Sequence, residues 1–371
     1  MKLEEVKGRE TLKQFVRFPF TLYHRHPFWI PPIIKDEMEL LLPCLEGQRK
    51  NYTRLWLCKE GDEVIGRIAA INLPHESSPE GLKVGRFGWL DFVDDPAVPR
   101  LLFDQAENWL KSEGVQVLQG PLGFSNLDKA GMLIEGFDEL PTISELYNFP
   151  YYSRYLEDLG YGKAADWVSF EITVPEQVPD KLIQWAELIK NRYQVSIVKF
   201  TNSESVRTYG LKLFELINET HREIHGFVPI SKEQAVFYVD KYLPLIKKEF
   251  LCLIVDKEQN LIGYGISMPS FSRAFQKAGG KLNLWGLYQL WRANRKNNKV
   301  DLYLIGIAEA WRNKGINALM FKEIMQAVID FGVRKVESNP ELEQNNRVQS
   351  LWKDYQFRQH KRRRCFKKNL Q

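Results

Sequence analysis

Apolar and polar positions along this chain fall into two successive runs of the same pattern. In the first, Leu55-Trp-Leu-Cys58 leads through the charged turn Lys59-Glu-Gly-Asp-Glu63 into Val64-Ile-Gly-Arg-Ile-Ala-Ala-Ile71. In the second, Phe250–Val255 leads through Asp256–Asn260 into Leu261–Met268. Two apolar segments around a short charged turn predict a β-hairpin. Each second strand carries an Ile-Gly step, Ile65-Gly66 and Ile262-Gly263. Helical periodicity precedes each hairpin, over Glu10–Arg25 and Ile33–Leu42 in the first run and over Ser205–Ile224 and Ser231–Tyr242 in the second. Pro27, Pro31, Pro32 and Pro229 interrupt these helices. Ser231-Lys-Glu-Gln234 fits a capping box at a helix start. After each hairpin the pattern predicts a strand, a long helix, a strand, a short helix and a last strand. These are Gly85–Val93, Ala97–Glu113, Val115–Gly120, Tyr151–Leu159 and Ala165–Val174, then Val300–Ala308, Ile316–Phe331, Val333–Glu337, Asn345–Tyr355 and Arg362–Lys367.

A chain of 371 residues is long for one domain, and 44% apolar residues supply enough material for two cores. The formal net charge of +5 is too small for general nucleic-acid binding; it suits an anionic cofactor or an anionic lipid surface. The 10 Trp, 22 Phe and 15 Tyr favour deep pockets or an interfacial surface. Cys44, Cys58, Cys252 and Cys365 are isolated and show no metal-ligand spacing, so they read as buried thiols in a reducing cytosol. The first residues lack the apolar core of a signal peptide, and no run approaches the ~18 apolar residues of a spanning helix. The expected location is cytoplasmic, with peripheral contact at the inner membrane face as the extension.

The chemistry concentrates near the end of the second run. The apolar strand Asp301-Leu-Tyr-Leu-Ile-Gly-Ile-Ala308 meets Glu309-Ala-Trp311 and the basic turn Arg312-Asn313-Lys314-Gly315-Ile316-Asn317-Ala318, after which a long amphipathic helix begins. Such a turn presents backbone N–H groups at a helix N-terminus, an anion site. The pattern R-x-x-G-x-N resembles the pyrophosphate-binding turn [Q/R]-x-x-G-x-[G/A] of the GNAT superfamily of acyl-CoA N-acyltransferases. The element order, written twice, resembles tandem GNAT domains such as those of N-myristoyltransferases and mycothiol synthases.

The resemblance implies an α/β (α+β) fold of two tandem GNAT-like domains, each a mostly antiparallel mixed sheet flanked by helices. It divides the chain into 1–174, a linker at 175–189, and 190–371. It implies acetyl-CoA or a longer acyl-CoA as co-substrate and no metal. The pantetheine arm would lie on the strand edge at Ile305, Gly306 and Ile307, with Gly306 tolerating a bulge, and Arg312–Ala318 would wrap the pyrophosphate. Asn317 departs from the pattern, and its side chain would crowd a close phosphate. Asp301 holds the place of a carboxylate base, or else caps the strand in solvent. By alternation Asp301, Tyr303, Ile305 and Ile307 share one face. The family's thiolate-protonating Tyr falls on Trp352 here, and Gln356 replaces its Gly, so either Tyr355 or water takes that role or the thiolate leaves without help. The first run has Asp94-Asp-Pro96 at the turn position, which is hostile to a pyrophosphate; there Asp94 or Asp95 reads as a helix cap.

The long Gly-punctuated connection from Gly120 to Asn148 offers Asn126, Asp128, Glu135, Tyr147 and Asn148 as candidate acceptor contacts at the junction of the halves. His221 and His225 sit at helical spacing and read as a solvated face rather than metal ligands. The segment Phe271–Lys299 has no counterpart in the first run. Its Leu284, Leu287, Tyr288 and Trp291 fall on one helix face with Arg292, Arg295 and Lys296 at the end. That helix either lies on a membrane or long-chain substrate or packs on the protein's own core. The tail His360-Lys-Arg-Arg-Arg364, with Lys367-Lys368, reads as a solvated edge strand, with phosphate or headgroup contact as the alternative.

The leading expectation is an N-acyltransferase whose acceptor is a small-molecule or lipid amine, with no nucleic-acid partner. Phe18–Tyr23, Pro27–Pro32 and Gly120–Asn148 also resemble a bacterial subgroup of GNAT-like proteins of similar length, some linked to bacterial sphingolipid synthesis. That likeness implies a long-chain amino alcohol acceptor. The rival class is a GNAT-shaped scaffold without chemistry, for which Asn317, Trp352 and Gln356 speak.

Overall fold

The computed structural model describes residues 1–371 except 75, 126, 200–202, 223, 225, 243–245, 346–348, 350–352, 354 and 371, and except the side chains of 203–207, 237 and 240–242. The first half supplies strands β1 (Lys2–Glu5), β2 (Thr53–Glu60), β3 (Glu63–Ile71), β4 (Val84–Phe92), β5 (Val117–Gly120), β6 (Met132–Glu135) and β7 (Gly162–Thr173). The second supplies β8 (Ser196–Ile197), β9 (Leu251–Val255), β10 (Leu261–Pro269), β11 (Lys299–Ile307), β12 (Lys335–Glu337), β13 (Glu341–Leu342) and β14 (Phe357–Asn369). The helices are α1 (Arg9–Leu22), α2 (Ile34–Leu41), α3 (Pro43–Glu46), α4 (Ala97–Ser112), α5 (Tyr151–Asp158), α6 (Asp180–Tyr193), α7 (Ser203–Thr220), α8 (Lys232–Tyr242), α9 (Ser272–Ala278), α10 (Leu284–Arg295) and α11 (Ile316–Asp330).

Both hairpins form as the alternation predicts. β2 pairs with β3 and β9 with β10, antiparallel across their charged turns. The capping box closes α8: the Ser231 N–H donates to Gln234 Oε1 at 2.9 Å, and the Gln234 N–H donates to Ser231 Oγ at 3.2 Å. Asp95 accepts from the Ala97 N–H at 2.9 Å at the start of α4. The stretch 175–189 holds Pro175–Pro179 and then the first turns of α6. Most of the helix expected over Asn345–Tyr355 lies outside the described residues.

All the long strands join one mixed sheet in the order β1-β2-β3-β4-β5-β14-β7-β12-β11-β10-β9-β8. The β4–β5 and β11–β12 pairs are parallel. The halves trade their last strands: β14, from the chain's end, sits beside β5, while β7, from the first half, sits beside β12. In each half, helices cover both faces of the sheet. Val98, Leu102 and Phe103 of α4 pack on Ile68, Phe87 and Phe92, and α1 fills the opposite face with Leu12, Phe15 and Val16. In the second half α6 and α11 pack over Ile254, Ile262 and Val300, and α7 packs over Leu253, Tyr264 and Ile266 on the reverse side.

Candidate active site

The sheet opens along β11. Its parallel pairing with β12 covers only Lys299, Val300 and Asp301, although the strand runs on to Ile307. From Leu302 onward, among the described residues, the edge facing β12 has no strand partner. An unpaired edge of this kind can take the amides of an extended ligand.

On the other side β10 pairs Ser267 with Leu302 and Ile266 with Leu304, which leaves Tyr303 as the extra residue of a β-bulge. This corrects the expectation that Asp301, Tyr303, Ile305 and Ile307 share a face. One inserted residue flips everything after it. Leu302, Ile305 and Ile307 pack on the α6–α11 side, whereas Leu304 packs with Tyr264 on the α7 side. The bulge is at Tyr303 and not at Gly306. At Gly306 the Tyr264 ring lies 2.5 Å from where a Cβ would be, so only glycine fits.

At the strand's end Asn313 and Gly315 turn the chain with φ of 63° and 79°. That angle favours glycine at 315, and a Cβ there would also press on Ile189 Cδ1, 3.0 Å from its built position. Helix α11 then begins without a side-chain cap. Among the described residues the backbone N–H groups of Asn313 through Asn317 meet no acceptor outside the helix. By contrast, α10 is capped by Asn283, which accepts from Gly286 N at 2.9 Å. An uncapped N-terminus with its dipole is suited to a phosphate. Lys314 adds charge from a place fixed by two rings, its Nζ 4.5 Å from the Trp311 centroid and 5.9 Å from Tyr193. Ile316 is buried and anchors the helix in the core, while Arg312, Asn317 and Ala318 are half-buried around the turn.

At the base of the opening lies a buried ionic cluster. Asp301 is 1% exposed, which removes the reading of a solvent-facing strand cap. Burial first, and then the charge of Glu337, push its carboxyl up to about 7. Tyr303 Oη lies 3.4 Å from Asp301 Oδ2; burial and the same acids raise that phenol well above its ordinary range, so it stays protonated. Glu337, on β12, contacts Lys299 and Lys361, with His360 Nε2 at 3.4 Å. Lys361 also contacts Glu145, which accepts from the Thr142 N–H at 2.7 Å, Ser169 Oγ at 3.1 Å and Arg363 Nε at 3.3 Å. Burial would raise both glutamates. Lys361 and Arg363 nevertheless bring Glu145 down to about 2, and Lys361, His360 and Lys299 hold Glu337 well below the usual carboxylate range. Asp301 is therefore the carboxyl of the cluster that exchanges its proton near neutral pH.

Sequence reasoning missed Glu145, Glu337, Lys361 and Arg363. The tail's pattern predicts a solvated edge, but β14 is interior, flanked by β5 and β6 on one side and β7 on the other. Lys361 and Arg363 are each 1% exposed, and the Arg363 Nη1 and Nη2 atoms have no hydrogen-bond partner among the described residues. The available signal was the alternation itself, which puts Lys361, Arg363 and Cys365 on one face of β14 and Arg362 and Arg364 on the other.

The other candidates disperse. Asp128 clamps its own turn, accepting from the Ser125 N–H at 2.9 Å. Asn148 spends its amide on Leu133 N, Leu133 O and Phe149 O at 2.7–3.1 Å. Tyr147 is 7% exposed, with its hydroxyl 3.3 Å from His26 Nε2. Glu135 is exposed and pairs with Arg362 Nε at 3.2 Å, on the face of β14 away from Lys361 and Arg363. Tyr355 packs with Val168, Phe170, Ile172, Leu302 and Phe321, on the reverse face of β11 from Asp301. Asn126 and Trp352 lie outside the described residues. His221 is not on a solvated face: it is 8% exposed, 3.2 Å from Tyr264 Oη, and burial lowers it to about 4; His225 lies outside the described residues. Among the described residues no group of three or more His, Cys, Asp or Glu is arranged to hold a metal ion.

The first half has the matching opening, since β4 runs to Phe92 but pairs with β5 only at Val84–Arg86. There it is filled. Tyr152 stacks on Phe92 at 4.0 Å, its hydroxyl accepts from the Phe92 N–H at 2.8 Å, and the Tyr151 hydroxyl donates to the Phe92 carbonyl at 2.7 Å. The backbone groups an extended ligand would use are already satisfied.

No family model matches the chain. It is 26% identical to Protein YghO of Escherichia coli (strain K12), over 98% of this chain and 94% of that one. It is 25% identical to the bacterial ceramide synthase of Caulobacter vibrioides (strain NA1000 / CB15N), over 98% of this chain and 96% of that one. Among solved structures, a tandem GNAT protein from the clavulanic acid biosynthesis pathway superposes with a TM-score of 0.56 at 14% identity, over 100% of this chain and 99% of that one. A GCN5-related N-acetyltransferase from Sphaerobacter thermophilus gives 0.52 at 12% identity, over 100% and 96%. The chain has the tandem GNAT fold.

Proposed function

We propose that the protein is an acyl-CoA-dependent N-acyltransferase working through its second half. The observation that carries the reading is the coincidence at β11 of three features: an unpaired strand edge, an uncapped helix N-terminus at its end, and a buried carboxyl poised near neutrality at its base. The edge at Ile305, Gly306 and Ile307 suits the pantetheine amides, and the N–H groups from Asn313 to Asn317 suit the pyrophosphate. Asp301 takes a proton from the acceptor ammonium. The freed amine attacks the thioester carbonyl carbon, the C–S bond breaks, and an amide forms. The departing thiolate takes the second proton that the nitrogen loses as the amide forms, directly or through solvent, and Asp301 returns its own proton to solvent, while Tyr303, protonated throughout, holds the Asp301 carboxyl by its hydroxyl. A base with a pKa near the working pH is the efficient choice.

A lipid amine is the acceptor class that the comparisons favour, because the 25% identity to a ceramide synthase spans 98% of the chain. The scaffold reading keeps Asn317 in its support but gives no reason for a buried carboxyl beside an open strand edge.

Titration calorimetry with acetyl-CoA and palmitoyl-CoA tests the proposal, using the wild type and Gly315→Glu. The wild type binds with a stoichiometry of one per chain, and the variant loses binding at least tenfold because a carboxylate replaces the space a phosphate needs. No binding of either ligand by the wild type would leave the scaffold reading in possession. Preference between the two chain lengths separates small-amine from lipid chemistry.

A further inference from the structure

Helix α10 is built inside out. Its buried positions are Gly286 and Gln289, and Leu290, Ala293 and Asn294 are half-buried. Its other large apolar side chains face outward: Leu284 is 88% exposed, Trp285 56%, Leu287 51%, Tyr288 45% and Trp291 53%. Trp285, Tyr288 and Trp291 stack in a row at 5.7 and 6.1 Å. Gly286 lets the helix sit this way, since a built Cβ would meet the Lys281 carbonyl oxygen at 2.4 Å and Ala278 Cβ at 3.3 Å. A contiguous exposed patch of this kind marks an interaction surface.

Charge says what covers it. Between Glu258 and Asp301 the chain carries no carboxylate side chain, while Arg273, Lys277, Lys281, Arg292, Arg295 and Lys296 are all present and exposed. Among the described residues none of these six is paired with a carboxylate. Arg295 lies over the Trp291 ring at 4.6 Å, at the rim of the apolar row. Aromatic and leucine side chains rimmed by unpaired cations suit the headgroup boundary of an anionic bilayer, where rings sit among the acyl carbons and the cations meet phosphates.

The patch is also tied to the candidate active site. Asn297 Nδ2 donates to the Ser270 carbonyl at 2.7 Å, closing the base of the insertion two residues before β11 begins. Ser272 Oγ donates to the Pro141 carbonyl at 2.8 Å and Gln276 Nε2 to the Pro27 carbonyl at 2.8 Å, which fastens the insertion to the first half. The geometry points to α10 as a docking surface for an anionic membrane, holding the Asp301 end of the cleft near the lipid headgroups. This goes beyond the acyl-transfer reading and stands without it.

Sedimentation with vesicles tests the docking directly, using phosphatidylcholine alone and phosphatidylcholine mixed with phosphatidylglycerol. The wild type is expected to pellet with the mixed vesicles at least tenfold more than with neutral ones, with a blue shift of Trp emission. Leu284→Glu/Leu287→Glu/Trp291→Glu and Arg292→Glu/Arg295→Glu/Lys296→Glu are each expected to stay in the supernatant. All six positions are exposed or rim residues, and unchanged melting curves verify the fold. Three results would overturn the proposal: a wild type that ignores the anionic vesicles, an apolar variant that still binds them, or light scattering that shows a wild-type dimer converted to monomer by the apolar variant. The last would assign the patch to a second copy of the chain.

Discussion

Asp301 carries the sharpest consequences at the scale of single residues. Its carboxyl is raised to about 7, against an ordinary value of about 3.9 in an unfolded chain. As the base, it works only when ionised. Turnover should therefore rise about tenfold per pH unit below 7 and level off above it. Asp301→Asn should lower kcat/KM by about 100- to 10,000-fold at pH 8. The stability effect runs the other way. A carboxyl with a raised folded pKa favours the native state fully below about pH 4, and that contribution is lost as pH rises through 7. The Asn variant carries no such loss, so at pH 8 it should be more stable than the wild type, by at most about 4 kcal/mol, and near pH 4 it should gain little. Paired thermal melts and initial rates across this range check both signs. A fully active variant at pH 8 would remove Asp301 from the chemistry, whatever its effect on stability. Lys361 and Glu337 stand behind this behaviour, since their mutual pairing leaves Asp301 as the acid that holds the proton.

At the scale of elements, the two openings in the sheet show how one architecture serves opposite ends. Both come from a parallel strand pair that parts after three residues. In the second half the gap leads to a glycine turn and an uncapped helix. In the first it is filled by Tyr151, Tyr152 and Phe92. Replacing Tyr152 with Phe would leave the buried Phe92 N–H without its acceptor, at a cost of about 1–3 kcal/mol. It should lower the denaturant midpoint while leaving one CoA bound per chain, which urea titration and calorimetry would register. A second CoA site appearing in Tyr152→Phe would mean that the plug, and not the Asp94-Asp-Pro96 turn, excludes the cofactor. The sequence made this asymmetry readable on one side only. Two carboxylates and a proline at the first turn are local and visible, whereas a tyrosine on a later helix that folds back onto Phe92 is not. The same divide runs through β11. Its existence, its ends and the Gly315 turn follow from local pattern, but the bulge at Tyr303 depends on the register that β10 imposes, and that register decides which side chains share a face with Asp301.

Across the whole molecule, the exchange of last strands governs what the site is made of. β14 and β7 run antiparallel over a long register, from Phe357 opposite Ile172 to Lys367 opposite Gly162, so each half completes the other's sheet. The ionic cluster is assembled the same way: Glu145 comes from the first half, and Lys361, Arg363, Glu337 and Asp301 come from the second. No local pattern announces this, because the residues that meet are separated by much of the chain, and an interior strand reads like an edge when its neighbours are unknown. The physical cost of separating the halves is correspondingly high. A first half alone would leave Glu145 buried without its cations, and a second half alone would leave Lys361 and Arg363 without Glu145; breaking a buried pair costs about 3–5 kcal/mol, and the unpaired β5 and β7 edges invite aggregation. Residues 1–178 and 179–371 expressed separately should therefore be insoluble or molten, while co-expression should give a 1:1 complex with a single cooperative melt and restored CoA binding. Size-exclusion chromatography with light scattering and calorimetry on the three preparations decides the matter. If 1–178 instead folds alone as a monomer with a cooperative transition, β7 can turn back to close its own sheet. The exchange would then be one of two packings open to the chain rather than a requirement of the fold.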